Sequence, residues 1–257
     1  MGDFIKKSGS RLLLSSAFCF SFAMHSPQAL FAQGASPPTE SPDLSETETD
    51  NLVLNLEYVD GGDFVLGQSL DEGELIKAIR SHVHLETLKL SGQDAVSPAV
   101  MATIQADLPQ LKKLELKGYI RFIATSDGRA FDHESVNWQD VTEEMLQALF
   151  KDNQEGVGIE VLDLSLSTVD DNALKEIGAG AHNLRELYLR GSPSITDAGI
   201  LDLVAKLPNL KLIDLSKVVL KAPFENERIA AEISSEVIQE LKNRGVLVIE
   251  NERTPWF

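Results

Sequence analysis

Few side chains in this chain have the types and spacing that chemistry needs. His82 and His84 stand two apart and could be offered as metal ligands, imidazole being the commonest side chain in that role. His84, however, holds the place that Asn183 and Asn209 hold in later segments, and His182 the place of Pro109 and Pro208. These histidines read as turn residues at a permissive position. Asp127, Asp132, His133 and Glu134 gather oxygen and nitrogen donors, but without the D-x-D-x-D-G spacing of a calcium loop. The single cysteine, Cys19, lies in an apolar run and lacks the small-residue context of a lipoprotein site. No phosphate-binding glycine loop and no G-x-S-x-G elbow occurs. The sequence therefore assigns no catalytic residue, no metal site and no cofactor. A hydrolase is the weakest function it allows.

The elements that could position a binding site are far better marked. An apolar phrase of the form L-x-x-L-x-L recurs as HLETLKLSG, QLKKLELKG, GIEVLDLSL, NLRELYLRG and NLKLIDLSK. Its first positions are Leu85, Leu111, Ile159, Leu184 and Leu210, separated by 26, 48, 25 and 26 residues. A second phrase interlocks with the first. Val96, Val141, Val169 and Ile195 each precede a residue able to cap a helix, namely Ser97, Thr142, Asp170 and Thr196. Pro98 suits the first helical position, and Asp171 and Asp197 favour the positive helix end. Apolar residues then return on one helical face: Met101 and Ile104, Leu146 and Leu149, Leu174 and Ile177, Ile200 and Leu203. Leu70 and Leu75 fit an earlier unit.

A period in this range predicts an α/β leucine-rich-repeat solenoid, in which no unit buries its apolar face alone. Parallel strands would line a concave face and helices a convex one. The stretch 169–218, above all ITDAGILDLVAKLPNLKLIDLS, resembles the cysteine-containing leucine-rich repeats of F-box substrate adaptors and related bacterial proteins. It is more loosely similar to the ribonuclease-inhibitor type. Leu207 and Val218 stand where that family carries cysteines. The resemblance implies the fold and a binding role, and it implies no particular partner.

The formal net charge of −17 argues against nucleic acid, which needs clustered Lys and Arg, and against an anionic membrane surface. Basic proteins or divalent cations remain compatible partners, although acidity also simply keeps an extended surface soluble. Residues 1–32 read as a secretory signal of bacterial type: Lys6, Lys7 and Arg11, then the apolar run 12–24, then ALFAQGA as a cleavage region. Its removal would leave a chain without cysteine and without a membrane span, in a secreted or periplasmic location. Residues 33–50, rich in Pro, Ser, Thr and acid, read as a disordered linker, and 51–257 as the solenoid. A strand at 51–59 would open the array. A long helix over 226–245 and a strand over 246–251 would close it. Trp256 and Phe257 resemble a barrel terminus, but no series of alternating strands accompanies them.

Two surfaces compete as the binding site. Outward strand positions would form concave columns whose middle row is Lys89, Glu115, Asp163, Tyr188 and Asp214, with Arg190 beside Tyr188. Lys113, Lys117, Glu186 and Ser216 share those columns. The other surface is an insertion at about 119–137, with Asp127-Gly128 as a hairpin-turn signal. It carries Tyr119, Phe122 and Phe131, with Trp138 just after. These aromatics either anchor a partner or fold back over the rim of the array. The function predicted is non-catalytic protein or peptide binding by a secreted or periplasmic scaffold. The alternative is an exported effector acting in a host as an F-box-like ubiquitin-ligase adaptor, against which stands the lack of a helical segment before the repeats.

Overall fold

Each L-x-x-L-x-L phrase makes a three-residue strand, because alternation sends its central leucine into the core and leaves its neighbours on the other face. In the computed structural model, the described residues are 53–60, 65–124, 131–151, 158–220 and 227–251. In chain order, strand β1 (Val53–Asn55) is followed by a small hairpin, β2 (Val59–Asp60) and β3 (Val65–Leu66). Helix α1 (Glu72–Arg80), β4 (Thr87–Lys89), α2 (Pro98–Asp107) and β5 (Lys113–Glu115) follow. A long hairpin, β6 (Tyr119–Ala124) and β7 (Phe131–Asn137), then precedes α3 (Glu143–Phe150). Next come β8 (Val161–Asp163), α4 (Asp171–Gly180), β9 (Glu186–Tyr188), α5 (Asp197–Lys206) and β10 (Leu212–Asp214). A third hairpin, β11 (Val218–Leu220) and β12 (Glu227–Ile229), leads to α6 (Ser235–Asn243) and β13 (Leu247–Ile249).

Seven of these strands form one parallel sheet in the order β1-β4-β5-β8-β9-β10-β13, which is the order of the chain. The α-helices also pack in sequence, α1 on α2 through α5 on α6. Parallel strands need a crossover, and each crossover here carries one helix. The register is unbroken. Leu54, Leu88, Leu114, Leu162, Leu187, Ile213 and Val248 are Cα partners across the sheet, and all are buried in one core. Leu207 and Val218 are buried too, so apolar residues fill the places where the resembled repeats carry cysteine.

The helices start where their caps dictate. Ser97, Thr142, Asp170 and Thr196 each accept a bond from the backbone three residues on, and Asp71 and Ser234 do the same for α1 and α6. Asp71 and Glu74 complete a capping box. The acids at the first helical position reach further than the sequence indicates. Asp171 accepts the Thr196 N–H at 2.9 Å and the Thr196 hydroxyl at 2.6 Å, and Asp197 accepts the Ser234 N–H at 2.8 Å. Each therefore serves the start of the next helix as well as its own.

The closing segment differs from expectation. Residues 227–229 form β12, antiparallel to β11, and the helix begins only at Ser235 behind its Ser234 cap. Cross-strand pairing of Val218 with Ile229 outweighs the helical propensity of that stretch. The apolar surface of this hairpin is not idle. Leu166, Val218, Leu220 and Ile229 make a second small core, with Ile120, Val136 and Trp138 packed against it. Leu166 takes φ 54°, the left-handed region, at the position that Gly92 and Gly191 fill in their units with φ 74° and 67°. A leucine there costs about 1–2 kcal/mol of backbone strain, offset by a side chain that plugs this core.

Gly191 shows how tight that core is. A Cβ on it would stand 2.7 Å from Leu166 Cδ2 and 2.9 Å from Val218 Cγ2. Gly191→Ala is expected to destabilise by about 1–3 kcal/mol, combining left-handed strain with overpacking. In a double-mutant cycle with Leu166→Ala the two losses should be less than additive, since the clash needs the leucine. Strict additivity would show that Leu166 does not meet the new methyl group.

Candidate functional site

One face of the sheet carries the outward strand residues in rows. The middle row reads Asn55, Lys89, Glu115, Asp163, Tyr188, Asp214 and Ile249 as successive Cα partners. Five of the six residues expected on the concave columns are in this row, and Arg190 lies in the next one, its carbonyl accepting from Leu166 N–H at 2.8 Å. The structure thus brings them together across adjacent strands. Alternation does not make all of them exposed, however. Glu115 and Asp214 are each 3 % exposed, while Lys89, Asp163, Tyr188 and Arg190 are half-buried.

The two halves of the row solve the burial of charge differently. Glu115 sits beneath three lysines, with Lys113 Nζ at 2.8 Å, Lys117 Nζ at 3.2 Å and Lys89 Nζ at 3.5 Å. Burial works against its ionisation, but the Lys113 hydrogen bond and the charges of Lys117, Lys113 and Lys89 outweigh it and hold the carboxyl below its ordinary value. For Lys117 burial again opposes the charge. The Glu115, Asp163 and Glu57 carboxylates and the bond to Glu115 overcome it and raise the ammonium above its usual value. Lys117 also reaches Glu57 at 3.7 Å, which ties the end of the first strand segment into the cluster. The sequence signal for this cluster is K-x-E-x-K over 113–117: alternate residues of one strand necessarily share a face.

Around Tyr188 the arrangement is acidic. Its hydroxyl donates to Glu186 Oε2 at 2.7 Å, and Asp163 and Asp214 flank it on the neighbouring strands. Burial, the Glu186 bond and the charges of Glu186, Asp163 and Asp214 push the phenol up to about 12. Asp163 and Asp214 are steadied by a shared device, a carboxylate oxygen accepting the backbone N–H two residues on: Ser165 at 3.0 Å and Ser216 at 2.9 Å. The Ser216 hydroxyl is fully buried and has no hydrogen-bond partner among the described residues.

The inserted hairpin leaves the sheet at Gly118 and returns at Gln139. Gly118 N–H donates to Ser165 O at 3.0 Å and Gln139 N–H to Leu166 O at 3.1 Å, so the ladder continues across the junction. Gln139 then takes a place beside the sheet, its amide accepting from Gly92 N–H at 3.0 Å and donating to Gln93 O at 3.3 Å. Buried Gln93 repeats the role one unit earlier, bridging Leu56 O, Gln68 O and Leu70 N–H. Tyr119 is half-buried with its ring edge against Gly92, and Trp138 is half-buried on the second core. The backbone puts Phe122 in β6 and Phe131 in β7, but their side chains lie outside the described residues, as do those of Asp132, His133 and Glu134 and the whole of Asp127. Of the aromatics expected on the insertion, Trp138 folds back, as a cover would.

His82 Nδ1 lies 2.8 Å from Ala78 O, a helix-end bond suited to a turn residue. Among the described residues no three His, Cys, Asp or Glu side chains converge as a metal site would require. At the strand ends opposite the hairpins, an open groove of about 590 Å³ is lined by Glu86, Lys112, Glu160 and Arg185. Lys112 pairs with Glu86 at 3.0 Å and Arg185 with Glu160 at 3.2 Å, which leaves it charge-balanced. Among the described residues no helix is long and apolar enough to cross a membrane. No protein-family model and no curated protein matches the chain.

Proposed function

We propose that this chain is a leucine-rich-repeat scaffold, exported to a secreted or periplasmic location, that binds a protein or extended peptide without catalysis. The observation that carries this reading is the open row of the sheet. Lys89, Asp163, Tyr188 and Arg190 remain partly exposed on adjacent strands of one unbroken register, while the helices cover only the opposite, leucine face. Repeat arrays use such a surface to hold macromolecules, since rigid neighbours fix the spacing of their side chains. The basic-then-apolar start of the sequence supports export.

The inserted hairpin extends the same surface, because it leaves the C-terminal end of β5 next to the row. Capturing a partner from an envelope fraction and comparing two chains tests this. Replacing residues 120–137 with a short Gly-Ser linker should preserve cooperative unfolding and weaken binding tenfold or more, about 1.4 kcal/mol. Unchanged affinity would move the site off the hairpin, and loss of cooperative unfolding would make the hairpin part of the core.

A further inference from the structure

We propose that the β8–β10 part of the open row is a subsite for a lysine or arginine side chain of an extended peptide segment, seated over the Tyr188 ring between Asp163 and Asp214. The inference rests on the binding role proposed above and names the chemistry of what is bound.

Two carboxylates in one row make the comparison that matters. Burying a charge costs several kcal/mol unless it is paired. Glu115 meets that cost with three lysine ammoniums. Asp214 is as deeply buried, yet among the described residues it makes no ion pair, and its hydrogen-bond partner is the Ser216 N–H alone. Asp163 likewise makes no ion pair among them, although Lys117 senses its charge from the next strand. Arg190 is close in sequence to Tyr188 but forms no ion pair with Asp163, Asp214 or Glu186. This half of the row is thus short of one cation.

Three further features suit a cationic side chain rather than a bare ion. The Tyr188 hydroxyl is committed to Glu186 at 2.7 Å, which fixes the ring between the two carboxylates. An aromatic face backed by acids attracts ammonium and guanidinium groups by cation–π and Coulomb forces together. Its phenol is pushed up to about 12 by burial first, then by the Glu186 bond and by the charges of Glu186, Asp163 and Asp214. The Ser216 hydroxyl follows Asp214 on the same side of its strand, and among the described residues it is buried without a partner, so this part of the row holds an unused polar group as well as an unpaired carboxylate. The chain's charge of −17 draws basic segments toward it from a distance. The lysine half of the row repels a second positive charge, so a basic residue has one place to settle.

The test is selection of random dodecapeptides on the full immobilised chain at about 0.15 M ionic strength, where exposed charges more than about 8 Å apart are largely screened. The expected result is enrichment of peptides with Lys or Arg at a fixed position, the leading one losing affinity tenfold or more on Asp163→Asn. Asparagine keeps an oxygen for the Ser165 N–H, so this variant removes charge without removing the turn. Tyr188→Leu should weaken the same peptide, whereas Asp202→Asn, on the exposed side of α5, should not. Equal loss in the Asp202 variant would mean mere attraction to an acidic protein and overturn the proposal. Enriched peptides without a fixed basic residue, or acidic ones that depend on Lys113, would overturn it while leaving the binding role standing. Enrichment of nothing on the row would overturn both.

Discussion

Leu187→Ala is expected to lower the free energy of unfolding by about 2–5 kcal/mol. The side chain is 0 % exposed and stands between Leu162 and Ile213, its register partners on either side, which are themselves fully buried. Those neighbours are fixed by parallel backbone pairing and by the helices behind them, so the space left by truncation cannot close. Tyr188→Ala, one residue on, should cost much less. Its side chain lies on the opposite face, half-buried, and truncation there removes one hydrogen bond, to Glu186. Equilibrium denaturation of the two variants measures this directly. Equal losses would mean that the strand faces are assigned the wrong way round.

Glu115→Gln is the second large effect, about 2–3 kcal/mol at neutral pH. Removing one partner of a buried charge pair costs about 3–5 kcal/mol, and the lower figure applies because the three lysines are partly exposed and can turn to water. The sign with pH follows from the depressed carboxyl. Its stabilisation is complete above the unfolded carboxyl's value, about 4.3, and disappears as pH falls through the lower folded value. The native chain should therefore lose stability on acidification more steeply than Glu115→Gln. Lys117 mirrors this: with its folded value raised, its contribution holds below the unfolded lysine value, about 10.4, and is lost as pH rises through the folded one. Parallel acid limbs for the native and Glu115→Gln chains would show that the lysine cluster contributes no net pairing energy.

Strands, helix starts and the core were legible because each is a local pattern. Leu114 is buried for the same reason as Leu187, its place in L-x-x-L-x-L, and Thr196 caps for the same reason as Thr142. What stayed hidden depends on neighbours far along the chain. Alternation gives the face of Glu115 and Asp214 but not their burial, which is set by side chains from adjacent strands. Residues 227–229 have helical propensity in isolation and become a strand only because Val218–Leu220 offers a partner. The small hairpin of β2 and β3 does carry a turn signal, Asp60-Gly61 followed by Gly62, but its strands are two residues each, too short for an alternating pattern to announce them. The uncommon φ of Leu166 is explained only by the second core, which draws on five separate segments.

Three carboxylates that join successive helix starts all point one way along the chain. Asp140 accepts from Thr168, Asp171 from Thr196 and Asp197 from Ser234; in each pair the acceptor comes earlier and the donor later. A polypeptide that emerges from its N-terminus, whether from a ribosome or through a translocation channel, presents the acceptor before the donor that needs it. At these three joints the arriving donor finds its carboxylate already in place, whereas much of the sheet ladder runs the other way: the Leu90, Leu116 and Leu164 N–H groups precede the Glu115, Asp163 and Tyr188 carbonyls that accept from them. At the helix starts joined by Asp140, Asp171 and Asp197, the carboxylate is therefore made before the donor it satisfies.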